Sequence, residues 1–436
     1  MLSFIKTLKP LQSLIYGYLF ILILGFLLLC LPFFQVIPTA AIDNLFIATS
    51  AVSTTGLATV TVPENYNIGG QLVILLLIQV GGLGYMSIGS FIVLLRRKRL
   101  NHLNSDLIKY DFSLPDNFSV LSFIKNLIYF TLLIELLGAI GLSFIFHHAG
   151  ESQPIWQGIF HSVSAFCTAG FSLFPDSFES YASNFYLNAV ISILSIGGAL
   201  GFIVFTDLFE RFSGRKSRIT FTSKIIIRFT FVGMLIGALV LFLSDENIMT
   251  FAPEKRILVA FFQSMTAFTT VGFNTYPIGA ISAAPLFFII LLMAIGASPS
   301  GTGGGMKSTT ITALYAQLKS TFNQDSEVLF MNCKIPSHRV RMATSKFFFY
   351  VIVICIGTYL LLLLHPEKPF EVLFEAVSAL GTVGISTGLT GDLSNLSKFI
   401  LIGMMFLGRI GPLSFGMALF GSTELGGEVQ EEDVAI

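Results

Sequence analysis

The amino-acid sequence predicts an all-α polytopic membrane protein with four helix–pore loop–helix repeats around a pseudo-four-fold central pore. Three observations lead to this prediction. Only 11% of the 436 residues are charged and 54% are hydrophobic, whereas a typical soluble domain is about 25% charged. The apolar residues form eight long blocks, and one motif recurs four times between them. We therefore expect eight transmembrane helices and four re-entrant pore helices.

Each apolar block is long enough to cross a bilayer core about 30 Å thick, which takes about 20 helical residues. A shorter apolar stretch lies between the members of each successive pair, and its length suits a re-entrant helix. The first block follows Lys6 and Lys9 and continues past the length of a signal peptide, so we expect a retained helix. The blocks cover residues 13–34, 70–95, 123–146, 185–208, 225–244, 283–318, 343–364 and 397–420.

Basic residues predict the orientation, because loops rich in Lys and Arg stay in the cytoplasm. One alternate set of connections holds 19 of the 25 basic residues, and the other set holds four. The basic set comprises residues 1–12, 96–125, 211–228 and 319–346. We therefore expect both termini in the cytoplasm, together with an acidic tail at 424–436. The net charge of zero gives no support for nucleic-acid binding.

The strongest signal is an internal repeat, which appears when the chain is aligned on Gly56, Gly170, Gly272 and Gly384. Thr stands two positions before each glycine, Ala five before, Ser or Thr six before, and Phe ten before. Such self-similarity predicts one structural unit per copy. The threonines are Thr54, Thr168, Thr270 and Thr382. The predicted units are 1–100, 101–215, 216–325 and 326–423.

The repeat has a physical explanation, because non-helical backbone survives at membrane depth only when it is buried in protein or lines water. A half-helix that ends at Thr-x-Gly directs its partly negative carbonyl end into the membrane. Four such ends could form rings of carbonyl oxygens that replace the hydration shell of a monovalent cation. Glycine would permit a positive φ there. Alternatively, the motif only closes four packed helices, since small residues are common at membrane helix interfaces.

The sixth block is interrupted by a glycine-rich stretch from Gly296 to Gly305. Five of these ten residues are glycine, which propagates a helix poorly, and Pro299 is expected to bend or end the helix. One alternative is a flexible kink with no further role. Another is a phosphate-binding loop ending at Lys307, which is disfavoured because Met306 replaces the required glycine and no strand precedes it.

Arg409 lies deep in the last apolar block, in the sequence Gly-Arg-Ile-Gly-Pro. An intramembrane arginine is costly and is functional by default. The alternative is that it reaches the interface or pairs with a buried carboxylate such as Glu135. Glu135 could instead pair with Lys307 or with a backbone group.

Four polar residues on the predicted half-helices either face the outer vestibule or form hydrogen bonds behind the glycines. We favour the second alternative for these residues, which are Asp43, His161, Gln263 and Glu375. The six His and four Cys show no metal-ligand or disulfide spacing. No hydrolase motif is present, which disfavours an intramembrane enzyme.

These motifs resemble the Trk/Ktr/HKT superfamily of cation transporters over nearly the whole chain. The chain is most similar to the membrane subunit of Ktr-type bacterial potassium uptake systems. The resemblance implies a multi-pass, non-enzymatic protein of the bacterial plasma membrane that carries K⁺ inward. It assigns the potassium filter to Thr54, Gly56, Thr168, Gly170, Thr270, Gly272, Thr382 and Gly384. Plant relatives with serine at the first filter glycine carry sodium, so four glycines imply a preference for potassium.

The resemblance also implies an intramembrane gating loop at 296–306, with Arg409 lining the pathway below the filter. The gate residues are then Gly296, Pro299, Gly301, Gly303, Gly304, Gly305, Lys307 and Arg409. It further implies a homodimer that contacts membrane lipid and carries a cytoplasmic ring of nucleotide-binding regulatory subunits. Sodium is expected as an activator, and this chain itself shows no nucleotide site.

Two other functions compete with a gated pore. A sodium-coupled secondary cation transporter would also use internal repeats, but commonly as two inverted halves. All four repeats here are predicted in one orientation, which favours a pore. A scaffold subunit without conduction is disfavoured by the four intact glycines.

Overall fold

A computed structural model describes residues 10–84, 87, 120–214, 218–296, 298–411 and 415–416. These residues are mostly helical, and a short hairpin provides the strands in the described part. The acidic tail and most of the basic connection at 96–125 lie outside the described residues.

The first quarter of the chain contains a long helix, a short buried helix, a single turn and a second, shorter helix. They are α1 (Pro10–Leu29), α2 (Ala41–Val52), α3 (Val62–Asn65) and α4 (Ile68–Leu83). The second quarter follows the same order, and a bend of 95° separates its last two helices. They are α5 (Val120–Ala149), α6 (Pro154–Phe166), α7 (Phe185–Leu200) and α8 (Phe202–Phe212).

The third quarter consists of α9 (Phe221–Ser244), α10 (Pro253–Thr269), α11 (Ala283–Ile295) and α12 (Ser308–Asn323). An antiparallel hairpin of β1 (Leu329–Phe330) and β2 (Cys333–Lys334) leads to the fourth quarter. Its helices are α13 (Ser337–Leu362), α14 (Pro369–Leu380) and α15 (Asn395–Ile410). Short 3₁₀ turns lie at Pro32–Phe34, Glu179–Tyr181, Ile248–Thr250, Ile278–Ala280 and Leu389–Asp392.

The first helix of each quarter is long and apolar enough to cross a membrane. The bent pair α7 and α8 adds a fifth candidate span. Together with the structural neighbour described below, these helices confirm an all-α polytopic membrane protein. The sixth block is interrupted as predicted, between α11 and α12, whereas the bend between α7 and α8 was not predicted. The helices α4 and α15 end inside the blocks 70–95 and 397–420, whose remaining residues lie mostly outside the described ranges.

A glycine ends each of the helices α4, α7, α11 and α15. Gly84, Gly201, Gly296 and Gly411 have φ of 73°, 80°, 63° and 88°, a region that glycine enters at little cost because it lacks a Cβ. The sequence predicted a break in the sixth block from Pro299 and from the glycines around it. In the structure α11 ends at Ile295, so the helix stops at Gly296, three residues before Pro299.

The short helices α2, α6, α10 and α14 are buried at the centre of the fold. Their repeated Phe residues (Phe46, Phe160, Phe262 and Phe374) have no exposed surface. The repeated Ala residues (Ala51, Ala165, Ala267 and Ala379) are buried as completely. Both positions therefore serve packing.

Candidate functional site

Each of the four central helices ends at a Thr-x-Gly motif. The four threonines have φ of 54°, 50°, 58° and 47°, a left-handed conformation that is an outlier for a β-branched residue. Such strain costs of order 1–3 kcal/mol per residue and persists only where the surroundings enforce it. The sequence predicted positive φ at the glycines but missed it at the threonines.

A backbone hydrogen bond enforces this turn in all four copies. The amide between Thr and Gly bonds to the carbonyl of the Ser or Thr six positions before the glycine. The pairs are Thr55 with Ser50 at 2.8 Å, Ala169 with Ser164 at 2.8 Å, Val271 with Thr266 at 3.1 Å and Val383 with Ser378 at 2.9 Å.

The glycines have φ of 95°, 66°, 92° and 89° in chain order. A Cβ on any of them would collide with a backbone carbonyl of the next quarter. These carbonyls belong to Ala169 for Gly56, Val271 for Gly170, Val383 for Gly272 and Thr55 for Gly384. The contact of Gly384 returns to the first quarter, so the four motifs surround one axis in chain order.

The repeated hydroxyl residue holds the glycine amide in three quarters. Ser50 Oγ, Thr266 Oγ1 and Ser378 Oγ accept from the glycine amides at 3.0, 3.1 and 3.1 Å. In the second quarter Ser164 Oγ instead donates to the Phe171 carbonyl at 2.9 Å. This difference makes the ring imperfectly four-fold.

A cavity of about 350 Å³ lies at the glycine end of the motifs and is lined by all four glycines. Asn274 also lines it, and its Nδ2 donates to Glu179 Oε1 at 2.6 Å. Burial raises the pKa of the Glu179 carboxyl above its usual range, and the hydrogen bond from Asn274 offsets part of this effect.

The glycine-rich stretch lies at the opposite, threonine end of the motifs. Thr302 Oγ1 lies 3.0 Å from Thr168 Oγ1, and the Thr302 carbonyl accepts from Thr54 Oγ1 at 3.3 Å. A Cβ on Gly304 would collide with Thr382 Oγ1. The stretch therefore lies against three of the four motif threonines.

The break between α7 and α8 holds this stretch on one side. The Thr302 amide donates to the Gly198 carbonyl at 3.1 Å. Ser300 accepts two amides at the start of α8, from Phe202 to its carbonyl and from Ile203 to its Oγ, both at 3.1 Å. These amides begin a helix and have no acceptor within it, so Ser300 caps α8.

Two cations hold the stretch from other directions. Lys307 Nζ donates to the carbonyls of Gly303 and Gly304 at 2.5 and 3.1 Å. Arg409 donates to the Thr302 carbonyl, and to Thr54 Oγ1 at 3.2 Å. It also donates to the Gly81 carbonyl, and to the Gly82 carbonyl at 3.3 Å.

The predicted pairing of Glu135 with Arg409 or Lys307 is not found. Glu135 Oε2 accepts from Gln79 Nε2 at 3.1 Å, and the Cys167 thiol lies 3.7 Å from Oε1. Both cations bind backbone carbonyls instead, at the end of α4 and in the glycine-rich stretch.

The polar residues of the central helices lie behind the ring. Asp43 forms an ion pair with Lys398 at 2.6 Å. His161, Gln263 and Glu375 are fully buried, and none lines the cavity at the glycine end. The structure therefore favours the alternative in which they form hydrogen bonds behind the motifs. Within the described ranges, no group of three or more His, Cys, Asp or Glu could hold a metal ion.

Besides the left-handed threonines, sequence reasoning missed two further features of this site, namely the capping role of Ser300 and the shared helix end at four glycines. The second was detectable, because each of these glycines lies 24 to 31 residues after a motif glycine. The spacing varies between copies, and this variation concealed the pattern.

The chain matches the TrkH family, described as a cation transport protein, over residues 28–420. It is 34% identical to the potassium/sodium uptake protein NtpJ of Enterococcus hirae, covering 95% of this chain and 93% of that protein. It is 32% identical to the Ktr system potassium uptake protein B of Bacillus subtilis, covering 95% and 94%. The potassium transporter TrkH from Vibrio parahaemolyticus has the same fold, with a TM-score of 0.69, 20% identity and coverage of 92% of this chain and 84% of that one. This chain therefore belongs to the TrkH family of cation transport proteins.

Proposed function

We propose that this chain is the ion-translocating subunit of a Ktr-type potassium uptake system. The observation that carries the proposal is the closed ring of four glycines, each packed against a carbonyl of the next quarter. A ring of backbone carbonyls at membrane depth suits a dehydrated monovalent cation. The names of two relatives, which specify potassium/sodium uptake and Ktr potassium uptake, agree with this substrate.

In this proposal K⁺ enters the cavity at the glycine end, which faces outward if the basic connections are cytoplasmic. It exchanges water for carbonyl oxygens as it passes from the glycines to the threonines. The central helices direct their partly negative carbonyl ends toward the ion. The membrane potential contributes about 2.3 kcal/mol per charge for each 100 mV.

The stretch 296–306 acts as the gate in this proposal. Support comes from Thr302, which contacts two motif threonines directly at the inner end of the ring. Lys307 and Arg409 place positive charge beside the same end, which opposes the passage of a cation. Opening requires Thr302 to separate from Thr54, Thr168 and Arg409.

The wider assembly also belongs to the proposal. We take the four repeat units, the cytoplasmic termini, the homodimer, sodium activation and the regulatory ring from the family resemblance. The relative's name as protein B of a Ktr system suits a system of several components.

The first test is growth at low potassium of a bacterium that lacks its own potassium uptake. The cells would express the full chain, with and without a Ktr-type regulatory subunit. We expect rescue by the unsubstituted chain and at least about tenfold weaker uptake for Gly272→Ser, because strain at a positive φ costs about 1–3 kcal/mol and the new side chain would displace the Val383 carbonyl.

Gly403→Ser is the matched control, since a Cβ at Gly403 meets no atom within 4 Å. Equal uptake by the two serine variants would remove the glycine ring from the pathway. If the unsubstituted chain is well expressed but does not support growth, either with or without the regulatory subunit, the proposal of potassium uptake is contradicted.

A sodium-coupled secondary transporter is the second candidate, favoured by the potassium/sodium uptake named for the Enterococcus relative. Flux measurements in proteoliposomes separate the two. A fixed ratio of Na⁺ to K⁺ moved, at every membrane potential, would favour coupled transport over a pore.

A further inference from the structure

The position nine residues before each motif glycine contains a buried side chain in all four quarters. Three of these side chains are polar, His161, Gln263 and Glu375, and each is at most 1% exposed. The first quarter has Ile47 at this position, and it is also fully buried. A buried polar group is costly unless it is hydrogen-bonded, so these three require partners.

Each of the three polar side chains accepts a hydrogen bond from the equivalent backbone amide of its own quarter. Each accepts the amide of the residue three positions after the glycine of its own quarter. His161 Nε2 accepts from Leu173 at 3.1 Å, and Glu375 Oε1 accepts from Thr387 at 3.0 Å. The Gln263 amide oxygen, oriented to suit its neighbours, accepts from Thr275 at 3.0 Å and from Tyr276 at 2.9 Å. Three different residue types thus make one equivalent contact.

Glu375 makes the most extensive set of these bonds. Its Oε1 also accepts from Ser386 Oγ at 2.6 Å and from Thr387 Oγ1 at 3.3 Å. Its Oε2 accepts from Thr390 Oγ1 at 2.6 Å. These donors are neutral hydroxyl or amide groups, and through them the carboxyl holds the outer segment of the fourth quarter to α14.

The first quarter has no equivalent side-chain hydrogen bond. Ile47 offers no polar atom, and among the described residues Thr59 Oγ1, three positions after Gly56, is buried without a hydrogen-bond partner. The equivalent hydroxyl in the fourth quarter, on Thr387, reaches Glu375. The outer segment after Gly56 is therefore the least restrained of the four.

We propose that His161, Gln263 and Glu375 are positioning residues that set the selectivity of the ring for K⁺ over Na⁺. They anchor the backbone just beyond Gly170, Gly272 and Gly384 and so oppose contraction of the carbonyls around a smaller ion. The first quarter lacks this anchoring hydrogen bond, so its part of the ring is the one that moves as ions pass. This inference rests on the proposed function.

The test measures K⁺ uptake and its inhibition by Na⁺ in proteoliposomes that contain the full-length chain. Glu375→Gln replaces one acceptor oxygen with a donor, and Thr390→Ala removes one partner while leaving the carboxyl in place. Because glutamine keeps one acceptor oxygen where the carboxyl has two, we expect Glu375→Gln to lower the K⁺ over Na⁺ ratio about three- to tenfold. Thr390→Ala should lower it less, and the double variant should fall short of the product of the two effects, since the residues share one bond.

Glu371→Gln is the matched control, because it makes the same change one turn earlier on α14. We expect it to keep the selectivity of the unsubstituted chain. The inference is overturned if Glu375→Gln and Thr390→Ala, both monodisperse after purification, keep that selectivity, or if their effects multiply independently. If the unsubstituted chain carries no K⁺, the proposed function fails and this inference fails with it.

Discussion

The two ends of the central ring differ in how far they follow the internal repeat. At the glycine end, all four quarters present the same backbone, and each glycine packs against an equivalent carbonyl. At the threonine end, among the residues that the structure describes, the third quarter supplies the glycine-rich stretch and the fourth supplies Arg409. Four equivalent contacts suit the binding of a spherical ion. A gate formed by one movable segment, in contrast, needs contacts that are not repeated in the other quarters. The difference indicates where changes should affect selectivity and where they should affect rate.

The largest effect at the threonine end is expected from Arg409→Gln. The guanidinium binds the Thr302 carbonyl and the carbonyls at the end of α4, and bonds to a charged donor contribute about 1.5–3 kcal/mol each. Losing them and the charge should speed K⁺ uptake at least about tenfold, because 1.4 kcal/mol corresponds to a factor of ten.

Uptake in proteoliposomes at fixed membrane potential measures this effect, with the exposed Arg339→Gln as the matched control. An unchanged rate for Arg409→Gln would show that the threonine end does not limit transport.

A smaller effect in the same direction is expected from Ser300→Ala. The change removes the Ile203 bond to Oγ but keeps the bond from Phe202 to the carbonyl. Loss of a cap costs about 1 kcal/mol, so uptake should rise about two- to fivefold. Ser282→Ala is the control, because Ser282 precedes α11 without a side-chain cap. Slower uptake than in the control would mean that the Ser300 contact supports the open form instead.

The smallest effect is expected from Ser378→Ala at the glycine end, where Ser378 Oγ accepts from the Gly384 amide. One neutral hydrogen bond contributes about 1 kcal/mol, so the K⁺ over Na⁺ ratio should fall only about two- to threefold. The maximal uptake rate should stay unchanged. A change in rate without a change in selectivity would weaken the division between the two ends.

Much of the fold was predictable from the sequence. The apolar blocks predicted the long helices, and the four-fold alignment identified the four Thr-x-Gly motifs that surround the axis in the structure. The Phe and Ala positions that this alignment identified are fully buried. The orientation of the termini and the roles of the individual filter and gate residues stay predictions.

Other features needed the folded chain. The helix ends at Gly84, Gly201 and Gly411 were overlooked because the surrounding residues remain apolar, and hydropathy does not register a change in φ. The left-handed threonines are equally invisible, since β-branched residues rarely adopt that conformation and nothing in the local sequence requires it.

The sequence by itself determined the membrane class, the four-fold motif and the family. These follow from composition, hydropathy and recurrence, none of which depends on knowing which residues contact one another. Only the tertiary structure decided the partner of each buried polar group. Arg409 and Thr54 are 355 residues apart in the chain, and the choice of carbonyls over Glu135 depends on how the quarters close around the axis. Hydrogen bonds of about 3 Å require that geometry, and residue types alone do not specify it.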